Sequence, residues 1–210
     1  GLLFKDEQFV ALLDTGVHEF WDLKNQYKVQ QVAATSATNN PVSEPVLNLA
    51  DAYPERFAEQ IQRWETGEQE VGLLYQDNVL KDIKPPAQRG AYWCAQRAIE
   101  VRKINIAEEM RVPKALASQL VTAKDATLRS AAQAAIVTST VSEGFVGFLE
   151  VDGVQQEVLK TGMHVWWQFN HAIKVLQLDT RLQNMEVNGQ EILTKDRVGL
   201  RINLSALWQI

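Results

Sequence analysis

The stretch GLLFKDEQFVALLDTGVHEFW that opens the chain returns as GLLYQDNVLKDIKPPAQRGAYW from Gly72 and as GFLEVDGVQQEVLKTGMHVWW from Gly147. Self-similarity of this kind constrains the architecture more than any local propensity, because each copy must fold alike. The copies align on a glycine (Gly1, Gly72, Gly147), an aspartate five residues later (Asp6, Asp77, Asp152) and an aromatic pair: Phe20 and Trp21, Tyr92 and Trp93, Trp166 and Trp167. Glycine and second aromatic stand 20, 21 and 20 residues apart, and a valine follows each tryptophan by eight residues (Val29, Val101, Val175).

The spacing predicts a strand, a tight turn at the aspartate and a returning strand. Asp6 and Glu7, Asp77 and Asn78, and Asp152 and Gly153 supply the turn residues. A second turn at Gly16 and Gly162 leads into an aromatic strand and on to the valine, so each copy reads as a short β-meander. The middle copy carries Pro85, Pro86 and Gln88 instead, which predicts a wider loop and an edge poorly suited to pairing. Trp21, Trp93 and Trp167 occupy one repeat position, and large aromatics recurring in strands belong to a core.

Between the copies the pattern changes. Residues 33–45 are rich in Ala, Thr, Ser, Asn and Pro and read as a loop. Residues 48–68 show helical spacing, with Tyr53, Phe57, Ile61 and Trp64 on one face. A second helical region spans residues 113–128, with Leu116 and Leu120 on one side, and the β-branched run at 134–141 predicts a strand. Asn188 and Gly189 signal a hairpin turn. From Val198 onward apolar residues alternate with polar ones, which predicts a long strand with one buried face. The fold class expected is α+β: tandem antiparallel β-meander modules with short amphipathic helices. The modules are 1–70, 71–142 and 143–210, the last truncated at its C-terminus.

Composition narrows the function. The 210 residues carry 21 basic and 26 acidic side chains, net −5, with no basic run to attract phosphates, so nucleic acid is not an expected partner. The lone Cys94 cannot form an internal disulfide and reads as a small packed residue in a reduced compartment. There is no apolar run of membrane-spanning length. The chain starts inside the repeat, without a methionine, and stops within an alternating strand, so it is expected to be a piece of a longer protein.

The search for chemistry finds no nucleophile–base motif, no phosphate-binding loop and no metal-ligand spacing. His18 and His164 each follow a turn glycine by two residues, which favours a structural role, and no cofactor is expected. The remaining polar cluster, Asp179, Thr180 and Arg181 followed by Thr194 and Asp196, reads from spacing alone as a set of turns and ion pairs.

That cluster also carries a resemblance. LDTRLQNMEVNGQEILTKDRVGLRINLSALWQI, preceded by VLKTGMHVWW, is similar to the SPFH or band 7 domain shared by stomatins, prohibitins and flotillins, and most resembles its bacterial slipin branch. The match is specific over residues 147–210; residues 1–32 resemble the opening of the same domain. The resemblance implies a non-enzymatic, membrane-associated scaffold on the cytoplasmic face that assembles into homo-oligomers and holds membrane proteins or a membrane protease in place. Membrane contact would come through segments outside this chain, itself expected to be soluble. The residues expected to serve structure and assembly are Asp6, Gly16, Trp21, Asp77, Trp93, Asp152, Gly162, Trp167, Asp179, Arg181, Thr194 and Asp196. The competing expectation is a ligand-binding module that presents an aromatic β surface to lipid or carbohydrate.

Overall fold

A computed structural model describes residues 1–32, 41–94 and 99–210, in two units, Gly1–Ala135 and Ile136–Ile210. The first contains β1 (Leu2–Lys5), β2 (Gln8–Leu12), β3 (Tyr27–Gln30), α1 (Glu44–Ala52), α2 (Pro54–Phe57), β4 (Ile61–Glu65), β5 (Glu70–Gln76), β6 (Val79–Lys84), β7 (Arg89–Trp93), β8 (Ile99–Asn105), α3 (Lys114–Val121) and α4 (Ala126–Ala135). The second contains β9 (Ile136–Val141), β10 (Phe145–Val151), β11 (Val154–Leu159), β12 (Gly162–Trp167), β13 (Ile173–Asp179), β14 (Gln183–Leu193) and β15 (Gly199–Trp208). Strands dominate and the helices are short, an α+β architecture.

Three sheets share one plan. Their strand orders are β2-β1-β3, β6-β5-β8 and β11-β10-β13, all antiparallel. The register agrees residue by residue: Leu3 faces Val29, Leu74 faces Val101 and Leu149 faces Val175. Each central strand shifts register at the same place, between Leu3 and Phe4, Leu74 and Tyr75, and Leu149 and Glu150. The aspartate turns have positive φ at both central residues, 48° and 65° at Asp6 and Glu7, 51° and 62° at Asp77 and Asn78, and 53° and 82° at Asp152 and Gly153. That conformation matches the twist of a two-residue hairpin, and Asp, Asn and Gly tolerate it best.

A separate strand precedes the second and third sheets and pairs with the aromatic strand. β4 pairs with β7 and β9 with β12, bringing Ile61 opposite Trp93 and Ile136 opposite Trp167. The repeat glycine gives this strand room. A Cβ on Gly147 would lie 2.8 Å from Val141 Cγ2, and one on Gly72 would lie 3.1 Å from Thr66 Cγ2. The middle loop closes without a turn glycine, since Thr66 Oγ1 donates to the Pro85 carbonyl at 2.7 Å and accepts from the Gln88 N–H at 3.0 Å. β7 therefore does pair, contrary to the expectation raised by the two prolines.

In the first unit α1 and α2 cover the first sheet, burying Leu2, Phe9, Val46, Ala50 and Phe57 together with Ile61. Phe9 stacks on Phe57 at 5.4 Å. α4 packs on β6. The carboxylate of Asp125 caps α4 by accepting the N–H groups of Thr127 and Leu128 at 2.9 and 3.2 Å.

Several local expectations are corrected. The helical face drawn through Tyr53, Phe57, Ile61 and Trp64 ends early: α1 starts at Glu44, Pro54 opens a single-turn α2, and Ile61 and Trp64 lie in β4. Pairing with β7 overrides the helical spacing there. The 113–128 region is two helices, and Ala134 and Ala135 end α4, with the strand starting at Ile136. Asn188 and Gly189 form a bulge inside β14, Gly189 at φ +69° donating its N–H to Asn203 Oδ1 at 3.0 Å. The hairpin turn lies five residues later, where the Thr194 N–H donates to the Val198 carbonyl at 3.0 Å. The predicted loop falls largely in residues 33–40, outside the described residues; its last two positions, Glu44 and Pro45, begin α1.

Candidate assembly surface

β14 and β15 form a two-stranded ribbon. Directly paired residues share a face, and one face collects Met185, Ile192, Leu200, Ile202, Leu204 and Trp208, all exposed. The opposite face carries Glu186, Glu191, Arg201 and Ser205. The alternation in β15 thus marks an apolar face, as expected, but among the described residues nothing covers it. Periodicity reports which side chains point together; it carries no signal for whether a second layer lies on them.

The root of the ribbon is fixed by residues 179–181. Asp179 closes β13, and Arg181 reaches back to it in a bidentate pair, Nε to Oδ1 at 2.9 Å and Nη2 to Oδ2 at 2.6 Å. The Arg181 backbone N–H donates to the same carboxylate at 3.0 Å, and these donors, the side chain first, hold the Asp179 carboxyl down at about 2. The guanidinium lies 5.0 Å from the Phe145 ring centre. Gly144 must lack a side chain here, because it sits at φ +80° and a Cβ would come within 2.7 Å of Arg181 Cγ. Thr180 donates twice to the Gly144 carbonyl, from N at 2.8 Å and Oγ1 at 2.9 Å, and its own carbonyl accepts Gln209 Nε2 at 2.8 Å. The clasp therefore ties the end of β13 to the β9–β10 turn and to the end of β15. Gly144, Phe145 and Gln209 carry no motif of their own and were not legible.

The other candidate residues lie elsewhere. Thr194 accepts the Val198 N–H on Oγ1 at 3.1 Å at the ribbon's tip, with Asp196 exposed in the same loop, so these two are at the opposite end of the ribbon from Asp179 and Arg181. Asp6 and Asp152 latch the start of the last strand of their sheets: Asp6 Oδ2 accepts Gln26 Nε2 at 3.1 Å, while Asp152 accepts the Ala172 N–H at 2.8 Å and contacts His171 Nδ1 at 2.7 Å. Donation from His171 and Ala172 lowers the Asp152 pKa. Asp77 occupies the equivalent turn. Gly16 and Gly162, at φ +157° and +134°, lead into the two histidines: His18 Nε2 meets the Asp14 carbonyl at 3.0 Å and His164 Nε2 the Lys160 carbonyl at 2.7 Å.

The tryptophans divide. Trp167 is fully buried and Trp93 packs half-buried against the first unit's core, but Trp21 is 92% exposed, which corrects its assignment to a core. Among the described residues no strand pairs with Phe20 and Trp21. Cys94 is also exposed rather than packed, with partial desolvation pushing its thiol up, away from the activated thiolate a nucleophile needs. A cavity of about 470 Å³ in the first unit is lined by Asp51, Arg63, Trp64, Arg89 and Lys103. Asp51 pairs there with both Arg63 and Arg89, Lys103 pairs with Glu70 at 3.2 Å, and Glu65 also lines the cavity. Among the described residues no helix is long and apolar enough to cross a membrane, and no cluster of three or more potential metal ligands occurs.

No curated protein and no solved structure matches the chain significantly. Residues 139–210, which hold the second half of β9 and everything after it, including the clasp and the ribbon, match the family model of the SPFH domain / Band 7 family. Proteins of that family are in general membrane-associated scaffolds without enzymatic activity. That match spans 72 of the 210 residues, about a third of the chain.

Proposed function

We propose that the chain serves a non-enzymatic scaffold of the bacterial slipin or stomatin-like branch, one that assembles into homo-oligomers on the cytoplasmic face of a membrane and organises membrane proteins there, a membrane protease among them. The observation that carries this reading is the uncovered apolar face of the β14–β15 ribbon. A two-stranded ribbon is marginal alone, and a contiguous apolar face rimmed by polar residues is the mark of an interaction surface. The clasp at its root supports the same reading, because a rigidly rooted ribbon presents its face in one orientation. We further read the stretches 1–70, 71–142 and 143–210 as copies of one module, supported by the common register and shared bulge of the three sheets.

Light scattering over a range of concentrations tests assembly. The chain should gain mass with concentration, and Ile202→Lys with Leu204→Lys, which places two charges on the ribbon face, should hold it monomeric while leaving both units folded. A wild-type chain that stays monomeric throughout would refute assembly through this face. The aromatic-platform alternative loses Tyr92, Trp166 and Trp167, which are buried, and keeps Trp21 and Trp208, which are exposed.

A further inference from the structure

The β4–β7 and β9–β12 pairs share one register. Glu65 stands opposite Arg89 where the later pair has Thr140 opposite Met163, and Trp64 opposite Gly90 where it has Ser139 opposite His164. Neutral residues at 138, 140 and 163 are enough for this pair to form, so the fold itself does not call for Arg63, Glu65 and Arg89. These three, together with Trp64, line the cavity of about 470 Å³ in the first unit, a volume suited to a small molecule.

Backbone pairing sets that cavity along the open edge of β4. Thr66 donates its N–H to the Gln88 carbonyl and Cys94 to the Gln60 carbonyl, each at 2.8 Å, so the alternate residues, Arg63 and Glu65 among them, turn their N–H and C=O groups away from β7. In the later copy the matching carbonyl, that of Thr140, accepts Gln177 Nε2 at 3.0 Å. Lys103 holds the place of Gln177, by the register that equates Val101 with Val175, and its ammonium goes to Glu70 at 3.2 Å instead. The donor that fills this position in one copy is withdrawn in the other, and the Glu65 carbonyl is left to the cavity.

Charge defines what completes it. Arg63 and Arg89 share Asp51, which leaves one positive charge, while Lys103 and Glu70 cancel. Glu65 pairs with no base among the described residues, which leaves one negative charge. Arg89 reaches Asp51 through Nη1 alone, at 3.2 Å, and keeps its other N–H groups for a ligand. A bare anion would meet Glu65 and a bare cation would meet the guanidinium groups, whereas a molecule carrying both charges suits both.

We propose that this cavity binds a small zwitterion of the α-amino acid class. Its ammonium donates to Glu65, at the carbonyl that Gln177 serves in the later copy and at the carboxylate, and its carboxylate accepts from Arg89. Its side chain lies against Trp64, Leu47 and Val101. The indole is held in place, since a Cβ on Gly90 would come within 2.7 Å of Trp64 Cζ2 and Lys84 Nζ lies 5.3 Å from the ring centre. The site lies wholly in the first unit and stands apart from the assembly reading.

Titration of the whole chain with each standard amino acid, followed by the NMR signals of the Arg63 and Glu65 amides and the Trp64 indole N–H, tests this. An amino acid with an apolar side chain should shift all three, and the same molecule without its amine, or without its carboxylate, should bind about tenfold more weakly or worse. Glu65→Gln and Arg89→Gln should each weaken binding by about the same factor. Lys103→Gln, which copies Gln177, should close the site. Each variant alters only an exposed charge, so the fold, checked by circular dichroism, is kept. Phosphocholine carries both charges but no N–H for the Glu65 carbonyl and should bind more weakly than the amino acid; tighter binding would reassign the site to a lipid headgroup and overturn the proposal. No shift with any amino acid, an amine-free carboxylate binding equally well, or affinity unchanged in all three variants would overturn it too.

Discussion

The sheet around Leu3 and the sheet around Leu149 have the same strand order, the same bulge and the same positive-φ turn, yet Trp167 is fully buried and Trp21 stands 92% exposed. The pairing of the aromatic segment separates them: β9 lies along β12, whereas among the described residues no strand pairs with residues 16–21, which have the same local histidine contacts. Local sequence therefore shapes an aromatic segment, while its burial depends on a partner supplied from elsewhere. A tryptophan's place in a motif does not determine whether it is core.

The largest expected break in the comparison comes from removing the two rings. Trp167→Ala should destabilise its unit by about 3–5 kcal/mol, and Trp21→Ala should leave the dilute chain within about 0.5 kcal/mol of wild type, both read from denaturant melts. Equal losses would show that residues 16–21 are already packed in the single chain. Next in size is the repeat glycine. Gly147→Ala drives a methyl into Val141 and Leu159 and should cost about 1–3 kcal/mol, whereas Gly1→Ala meets nothing closer than 3.4 Å and should be neutral.

The turns sharpen the comparison at a smaller scale. Glu7 sits at φ 65° where the third turn has Gly153, so Glu7→Gly should stabilise the first sheet by about 0.5–1 kcal/mol, and Gly153→Glu should cost the third a similar amount. The smallest effect concerns acid. Asp179 is held at about 2 against an ordinary 3.8, so the clasp's contribution is complete above the ordinary value and is lost as pH falls through 2. Protection of the Arg181 amide should follow that course, and Asp179→Asn should abolish the dependence. In the first sheet the Asp22 carboxylate, lowered by the N–H groups of Tyr27 and Gln26 that it accepts at 3.0 and 2.8 Å, should give its own change at those amides.

The parts of the fold legible in the sequence are those set by local chemistry. Asp6, Asp77 and Asp152 announce their turns because few residues tolerate positive φ, and Val29, Val101 and Val175 keep register because the turn lengths are nearly constant. Ile61 and Trp64 were misleading because a short apolar run fits a helix or a strand, and only its pairing with β7 decides. Gly189 looked like a turn because a bulge needs the same backbone conformation. At the candidate site the pair of Asp179 and Arg181 is a contact two residues apart and could be read. Its support by Gly144 and Gln209, and the bare face of β15, arise between distant segments and leave no mark in spacing.

The most direct test is fluorine NMR of the chain labelled with 5-fluorotryptophan, with Trp21→Phe and Trp167→Phe to assign the two signals. The Trp21 resonance should show the full solvent isotope shift of an exposed ring, while the Trp167 resonance shows none. A Trp21 signal shielded from solvent, or a Trp167 signal that shifts with it, would contradict the account that one repeat position is surface in the first sheet and core in the third.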